Sequence, residues 1–375
     1  MTLSRFRLLT IAALLLPVCF ASTASGALAV KAGVQDTVPL GSTRNSVIAI
    51  PMTGGAEELV YLTTGMSDEH LAEIAELAPN ITIVSGLDRE TAVAQAGRAD
   101  GVDAHLLSSA FLEAAPDLRW AQSWSAGVER YVTIPELMAR EEIVLTNMKG
   151  MYGPVIAEHV FAMMLSMTRD LEFYMDAGRR GVWERGDGSA MGALQGRTML
   201  VVGLGGIGSE IAMRAHAFGM RVLATARIER PAPPYVDVLG TAKDLNDLLP
   251  EADVVVLAVP LTDETRHMIN RETLGMVKDG AWLVNISRGA VVDTDALVEA
   301  LDSGKVGAAF LDVTDPEPLP EGHPLWGRDN VLITPHVAAR AELSTDRRWA
   351  LMRENMRRFS AGEPLLNVVD KEAGY

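Results

Sequence analysis

Three short segments late in the chain each set a reactive side chain just beyond an apolar run. Val284-Asn285-Ile286-Ser287-Arg288-Gly289 supplies an arginine, Leu311-Asp312-Val313-Thr314-Asp315-Pro316-Glu317-Pro318 supplies acids, and Ile333-Thr334-Pro335-His336-Val337 supplies a histidine. A guanidinium can grip a carboxylate with two donors while another polarises an adjacent carbonyl. An imidazole can give or take the proton as that carbonyl oxygen becomes an alkoxide, and a neighbouring carboxylate holds the ring and favours its charged form. Taken together, the three predict a reaction on a small anionic carbonyl compound. Singly, each has a plain structural reading: an Arg-Gly pair is often a solvated turn, and a His after Pro is often a cap or a core residue.

What could bring them together begins upstream, at Val201-Val202-Gly203-Leu204-Gly205-Gly206-Ile207-Gly208. In a G-x-G-x-x-G after a strand, Gly203 permits the tight turn, Gly205 lets a pyrophosphate approach the backbone, and Gly208 lets the next helix pack closely. The context is right, with an apolar run over residues 197–202, helical spacing over 209–218 and a second strand over 221–225. Further strands over 254–258, 282–285, 307–311 and 331–334 complete a doubly wound sheet. Their C-terminal ends carry the three reactive segments, where an open α/β sheet receives its ligand. Val259, Pro260 and Ile286, beyond two of these strands, are added to the expected cofactor lining.

The first half alternates likewise. Strands are expected over 59–63, 81–85, 118–123 and 143–147, with helices over 67–77, 109–115 and 134–139 between them, the signature of a parallel sheet. Pro154 opens a helical pattern running to about Gly178, expected as one helix joining two domains. Its Met163, Met164 and Met167 suit core or subunit packing better than a ligand site. The predicted fold is α/β: two Rossmann-like doubly wound parallel-sheet domains with an active-site cleft between them. Residues 59–150 plus 337–375 form the substrate-binding domain and 151–336 the dinucleotide-binding domain.

The 375 residues suffice for two cores, and 48% hydrophobic residues exclude disorder as the general state. A formal net charge of −16 argues against nucleic-acid or anionic-membrane partners, so an anionic ligand needs local cations. Residues 1–27 read as a secretory signal peptide: Arg5 and Arg7, an apolar run over 8–20 too short for a spanning helix, then small residues. Residues 28–58 read as a linker. Export is therefore expected without a stable membrane anchor, the alternative being a cytoplasmic protein with a misassigned start, for which Met52 is a candidate. Cleavage removes Cys19, the one cysteine, and with it any disulfide or thiol chemistry. No spacing of His, Cys and acids predicts a metal site. His70, His105, His159, His216, His267 and His323 lack the context of His336, and His159, beside Glu158, reads as structural.

With these motifs in view, the chain from about Leu59 to Tyr375 resembles the D-isomer-specific 2-hydroxyacid dehydrogenase family. The resemblance implies hydride transfer between a nicotinamide cofactor and a 2-oxo or 2-hydroxy acid. It implies that Arg288 binds the substrate carboxylate and carbonyl, that His336 is the acid/base, and that Glu317 pairs with it. The segment Ser125-Ala126-Gly127-Val128-Glu129 resembles the turn whose amides receive the substrate carboxylate, with Ser125, Ala126, Gly127 and Val128 as its substrate-binding residues, and Asp312 a residue near the nicotinamide carboxamide. Asn147 and Ala157-Glu158-His159 match recurrent positions, and a homodimer is implied. Trp124, Ser125, Tyr131 and Tyr152 are candidates to line the pocket, whose preferred acid the sequence leaves open.

The cofactor's form is read from the end of the second strand, where an NAD-selective fold places an acid for the ribose hydroxyl. Here stand Ala226, Arg227 and, close by, Arg230, which could bind a 2′-phosphate, so NADP(H) is expected over NAD(H). The competing reading is that both arginines only solvate the loop towards Pro231. Two other functions are open: a dinucleotide-binding sensor without turnover, and formate or phosphite oxidation. Against the formate version, relatives of that kind carry an amide where this chain has Glu317.

Overall fold

The computed structural model describes residues 57–188 and 191–374. The expected leader, Cys19, Met52 and nearly all of the 28–58 extension lie outside the described residues.

The Thr-Met-Leu-Val-Val run at Thr198–Val202 is buried at every position. A strand buried on both faces needs helices above and below it, which is what a parallel sheet with crossover connections supplies. Among the described residues two such sheets form. The first contains β1 (Leu59–Leu62), β2 (Ile81–Val84), β3 (Gly101–Asp103), β4 (Trp120–Gln122) and β5 (Val144–Thr146), in the order β2-β1-β3-β4-β5. The second contains β6 (Thr198–Val202), β7 (Arg221–Ala226), β8 (Val238–Thr241), β9 (Val254–Leu257), β10 (Ala281–Asn285), β11 (Val306–Leu311) and β12 (Val331–Ile333), in the order β12-β11-β10-β9-β6-β7-β8. All neighbours within both sheets pair in parallel. The α/β fold with two parallel sheets read from the sequence is the one observed, with β3 and β8 as additional strands.

Register explains why the reactive segments meet. Val202 pairs with Leu257, Leu257 with Asn285, Asn285 with Leu311 and Leu311 with Ile333. Five strands therefore end in one row, and everything placed one to six residues beyond them shares one edge. Strand order reverses between β6 and β9, the switch point at which such sheets open a crevice.

The predicted single helix over 154–178 is two. Helix Gly153–Thr168 ends at Arg169, and Asp170 takes a left-handed backbone at φ 52° before helix Leu171–Arg179 begins. Left-handed geometry is costly for a side chain other than glycine, but an aspartate tolerates it better than most. The first of these helices is the shared core. One hydrophobic cluster runs from Leu59 and Trp120 of the first sheet through Val160 and Met164 to Val201 and Phe310 of the second. At roughly 1.5–3 kcal/mol per buried large aliphatic side chain, this helix holds the two sheets in register.

The chain then returns to the first sheet. Helix Glu342–Ala361 packs there through Trp349 Nε1 donating to Glu73 at 2.7 Å and Arg353 pairing with Glu73 at 2.8 Å. Val368 bridges antiparallel to Thr146, and the Val369 amide donates to Leu145 O at 2.8 Å.

Candidate active site

At the switch point the glycine loop is built for a dinucleotide. Gly203 has φ 99°, and an added Cβ would lie 2.7 Å from Ala258 O and 2.8 Å from Val259. A Cβ on Gly208 would stand 2.1 Å from Gly203 O, so helix Gly206–Ala217 can start this close to β6 only without a side chain. Gly205 is the opposite case, for a Cβ there meets nothing within 4 Å. Two glycines are thus required by packing, and the third borders open space at the amino end of a twelve-residue helix, where amides and the helix dipole favour a phosphate. The site fits a dinucleotide. Val259 and Pro260 follow β9 and Ile286 follows β10, so both lie on the same edge as Leu204, Gly206 and Ile207.

Gly289, next to Arg288, sits where a side chain would not fit. A Cβ on Gly289 would fall 1.9 Å from Thr314 O, so the turns after β10 and β11 are in contact. Asn285, 1% exposed, shapes the turn: its Oδ1 accepts from Ser287 N at 3.0 Å and Ser287 Oγ at 2.8 Å, and its Nδ2 donates to Arg288 O at 3.0 Å. The guanidinium crosses to the first sheet and covers Gly127, where an added Cβ would lie 1.7 Å from Nη2. There it pairs with Glu129 through Nε at 3.1 Å and Nη2 at 3.4 Å.

The turn that meets it follows β4. Ser125 N donates to Ser123 Oγ at 3.1 Å, Gly127 N to Ser125 Oγ at 3.3 Å, and Asn147 Nδ2 to Ala126 O at 2.8 Å. Val128, 1% exposed, belongs to the core, so the turn offers backbone and not that side chain. Tyr131 is buried in the same core with its hydroxyl accepting from Arg130, which takes it away from the pocket lining expected of it.

His336 Nδ1 and Glu317 Oε1 are 2.8 Å apart. The ring is positioned by its own backbone, left-handed at φ 53°, with the amide donating to Asp312 O at 2.8 Å and Thr334 O at 3.0 Å. Asp312, 3% exposed, spends its carboxylate on the same loop. Its Oδ1 accepts from Thr334 Oγ1 at 2.6 Å and Val337 N at 2.9 Å, and its Oδ2 from Ala338 N at 3.0 Å. Because the Thr334 hydroxyl gives its proton to Asp312, His159 Nε2, 3.0 Å from the same oxygen, must be the donor to it. His159 thus ties the inter-sheet helix to the loop that carries His336.

At the end of β7, Ala226 is buried and Arg227 exposed, while Arg230 Nη2 turns back to Leu204 O at 2.5 Å. Sequence reasoning missed Lys149, which precedes Gly150; Gly150 Cα would lie 3.6 Å from a Cβ on Gly206. Desolvation, and then the nearby Arg227, pull the Lys149 ammonium below its ordinary pKa. Its signal was spatial, since nothing local marks a lysine 78 residues before Arg227. Glu129, Asn285 and Thr334 stood inside recognised motifs without a role of their own.

A glycine loop for a dinucleotide, an arginine for a carboxylate and a His-Glu pair on one sheet edge define an oxidoreductase of 2-oxo and 2-hydroxy acids. Residues 161–338 match the family model described as D-isomer specific 2-hydroxyacid dehydrogenase, NAD binding domain. A glyoxylate reductase of Aeropyrum pernix is 37% identical over 280 residues, covering 73% of this chain and 81% of that protein. A D-isomer specific 2-hydroxyacid dehydrogenase family protein of Aeromonas salmonicida has a similar structure, with TM-score 0.72 and 32% identity over 84% of this chain and 100% of the other. The NADPH-dependent glyoxylate/hydroxypyruvate reductase of Sinorhizobium meliloti, solved with NADP and sulfate, gives TM-score 0.70 and 26% identity over 85% of this chain and 100% of its own. The chain belongs to the D-isomer specific 2-hydroxyacid dehydrogenase family.

Proposed function

We propose that the protein reduces a small 2-oxo acid with NADPH as its preferred cofactor. The observation that carries the reading is the 2.8 Å pairing of His336 with Glu317 on the edge shared with Arg288 and the glycine loop. Bound reduced nicotinamide dinucleotide supplies the hydride. Glu317 occupies Nδ1 of His336, which leaves Nε2 to give the proton to the keto oxygen. Arg288, arriving over Gly127, grips the substrate carboxylate and steadies the charge growing on the carbonyl.

Preference for NADPH is supported by Ala226 standing where a carboxylate would repel a 2′-phosphate, and by the cations Arg227, Arg230 and Lys149 around the loop. It also agrees with the S. meliloti protein's use of NADPH. Steady-state oxidation of NADPH and NADH across glyoxylate, hydroxypyruvate, pyruvate and longer 2-oxo acids tests both parts. Higher kcat/KM with NADH, unchanged in Arg227→Ala, rejects the cofactor preference, and inactivity on every acid rejects the reaction.

A homodimer is part of the reading. Trp183, 92% exposed, falls in one stretch of chain with the exposed Leu171, Met175, Val182 and Met191, apolar side chains that a second copy would cover. Light scattering showing a monomer at micromolar concentration removes it. Export through residues 1–27 is tested by N-terminal sequencing of native protein, a start at Met1 or Met52 counting against it.

A further inference from the structure

Among the described residues, two buried side-chain polar atoms lack a hydrogen-bond partner: Ser344 Oγ and Arg348 Nε. They stand one turn apart in helix Glu342–Ala361, and residues four apart share a face. That face continues into Met352, Asn355, Met356 and Phe359, all buried. A buried donor without an acceptor costs about 1–3 kcal/mol, and more where it is charged. Two such atoms side by side mark a place for an acceptor that arrives from outside the chain.

Their position says which acceptor. The helix begins five residues beyond Val337, on the chain segment that carries His336. The Arg348 side chain meets the hydroxyl of Tyr152, whose pKa burial raises and the arginine opposes. Tyr152 Oη in turn donates to Trp124 O at 2.7 Å, and Trp124 leads directly into the turn at Ser125. Arg348 therefore lies where the substrate turn, the start of the inter-sheet helix and the segment after His336 converge. Arg288 enters this site from the second sheet, whereas the helix of Arg348 is packed on the first. One guanidinium suffices for the carboxylate beside the keto group. The second donates through Nη2 to Thr345 Oγ1 at 3.4 Å, and its Nε–H is left for the other end of the molecule.

We propose that Ser344 and Arg348 form a subsite for a second anionic group, so that the preferred substrate is a 2-oxo acid with a carboxylate or phosphate at its far end. This rests on the 2-oxo acid reading above. The protein's net charge of −16 makes such a local cation necessary for a dianion to enter. The hydroxyl of Ser344 and the Nε–H of Arg348 are both donors suited to carboxylate or phosphate oxygen.

The test measures kcat/KM with NADPH for oxaloacetate, 2-oxoglutarate and 3-phosphonooxypyruvate against pyruvate, 2-oxobutyrate and hydroxypyruvate. Expected is a preference of about 10- to 100-fold for one dianionic acid over the neutral-tailed acid nearest in length, the span of one charge-assisted contact. Which dianion wins separates carboxylate from phosphate. Arg348→Met keeps the bulk and should collapse that ratio towards one, chiefly through KM, and Arg348→Lys should restore part of it. A wild-type preference for neutral-tailed acids, or a ratio unmoved in Arg348→Met, overturns the subsite and leaves Arg348 as a brace for Tyr152. Should no acid be reduced, the reaction reading falls, and binding decides the subsite. Thermal protection of the NADPH-bound protein by D-malate over D-lactate must then be lost in Arg348→Met, and equal protection overturns it.

Discussion

Gly127→Ala isolates the one contact that makes an active site out of two sheets. The added methyl would stand 1.7 Å from Arg288 Nη2, 3.0 Å from its Cζ and 2.6 Å from Glu129 Oε2. Carbon contacts settle near 3.5–4.0 Å, so the guanidinium must withdraw by about 2 Å. The obstructing atoms are the free ends of two long side chains, each 31% exposed, so they can swing aside and the fold survives. Catalysis cannot absorb the same shift, since misplacement by about 1 Å can cost on the order of 100-fold. A lost charge-assisted hydrogen bond of about 1.5–3 kcal/mol gives the same range, roughly 10- to 150-fold in kcat/KM. The expected variant has a wild-type melting temperature within a degree or two and a kcat/KM for glyoxylate at least tenfold lower, with KM raised. Gly208→Ala is the contrasting control: its methyl meets the Gly203 carbonyl at 2.1 Å, backbone that cannot swing aside, and cofactor binding and stability should fall together. Gly127→Ala with kcat/KM within about threefold of wild type, at unchanged melting temperature, would refute the argument that Arg288 works from that seat.

The other expectations can be checked with the same assay. His336→Ala should lower kcat by about 10²–10⁴-fold with little change in KM, because proton delivery and not substrate grip is lost, and retention of more than a tenth of turnover contradicts the role. Ala226→Asp should raise the NADPH KM at least tenfold while sparing NADH, by setting a carboxylate against the 2′-phosphate; equal effects on both cofactors count against NADPH selection. Asp312→Ala strips acceptors from the Val337 and Ala338 amides and the Thr334 hydroxyl, at about 1–3 kcal/mol for each buried donor left unpaired. Melting should drop by several degrees, and an unchanged transition refutes that account. Lys149, held below the ordinary lysine value of 10.5, gives up its proton earlier as pH rises, so the NADPH KM should climb through the alkaline range before an unperturbed lysine would titrate. Lys149→Arg should flatten that climb, and an identical pH profile in the variant excludes the residue from the phosphate site.

Much of the fold was legible because parallel strands buried on both faces leave uninterrupted apolar runs, as in β6 and β9. β3 was not, because its three residues end in an aspartate. Asp103 is fully buried and accepts from Tyr61 Oη at 2.8 Å, Thr63 Oγ1 at 2.5 Å and Trp124 Nε1 at 2.8 Å, so tertiary partners override its polarity. β8 is an edge strand, half exposed along most of its length, and lacks the apolar contrast. The helix over 154–178 read as continuous because apolar spacing resumes after Asp170, and only the backbone there shows the break. Reactive side chains announced themselves by standing after strands. Their supports did not, because His159 and Thr334 are 175 residues apart, and Arg288 and Glu129 are 159 apart.

That long separation has a physical consequence for how the site comes into being. His336, Glu317, Asp312 and Arg288 all depend on one sheet's edge, and their backbone supports are local to it. The substrate turn belongs to the other sheet, and its core is separate, gathered around Val102, Phe111 and Leu118. The shared cluster along helix Gly153–Thr168, the His159–Thr334 hydrogen bond and the Arg288–Glu129 pair connect the two halves at the site. A half-buried, solvent-accessible ion pair contributes about 1 kcal/mol, far less than the buried helix, so the helix fixes the distance and the pair only samples it. The same pair is available for exchange: a substrate carboxylate meeting Arg288 offers a bidentate geometry equivalent to that of Glu129, so binding trades one carboxylate for another. Loss of the Glu129 charge in Glu129→Gln should therefore lower the substrate KM by a few-fold, and a KM that rises instead would mean that Glu129 orients the guanidinium for the substrate and does not compete with it.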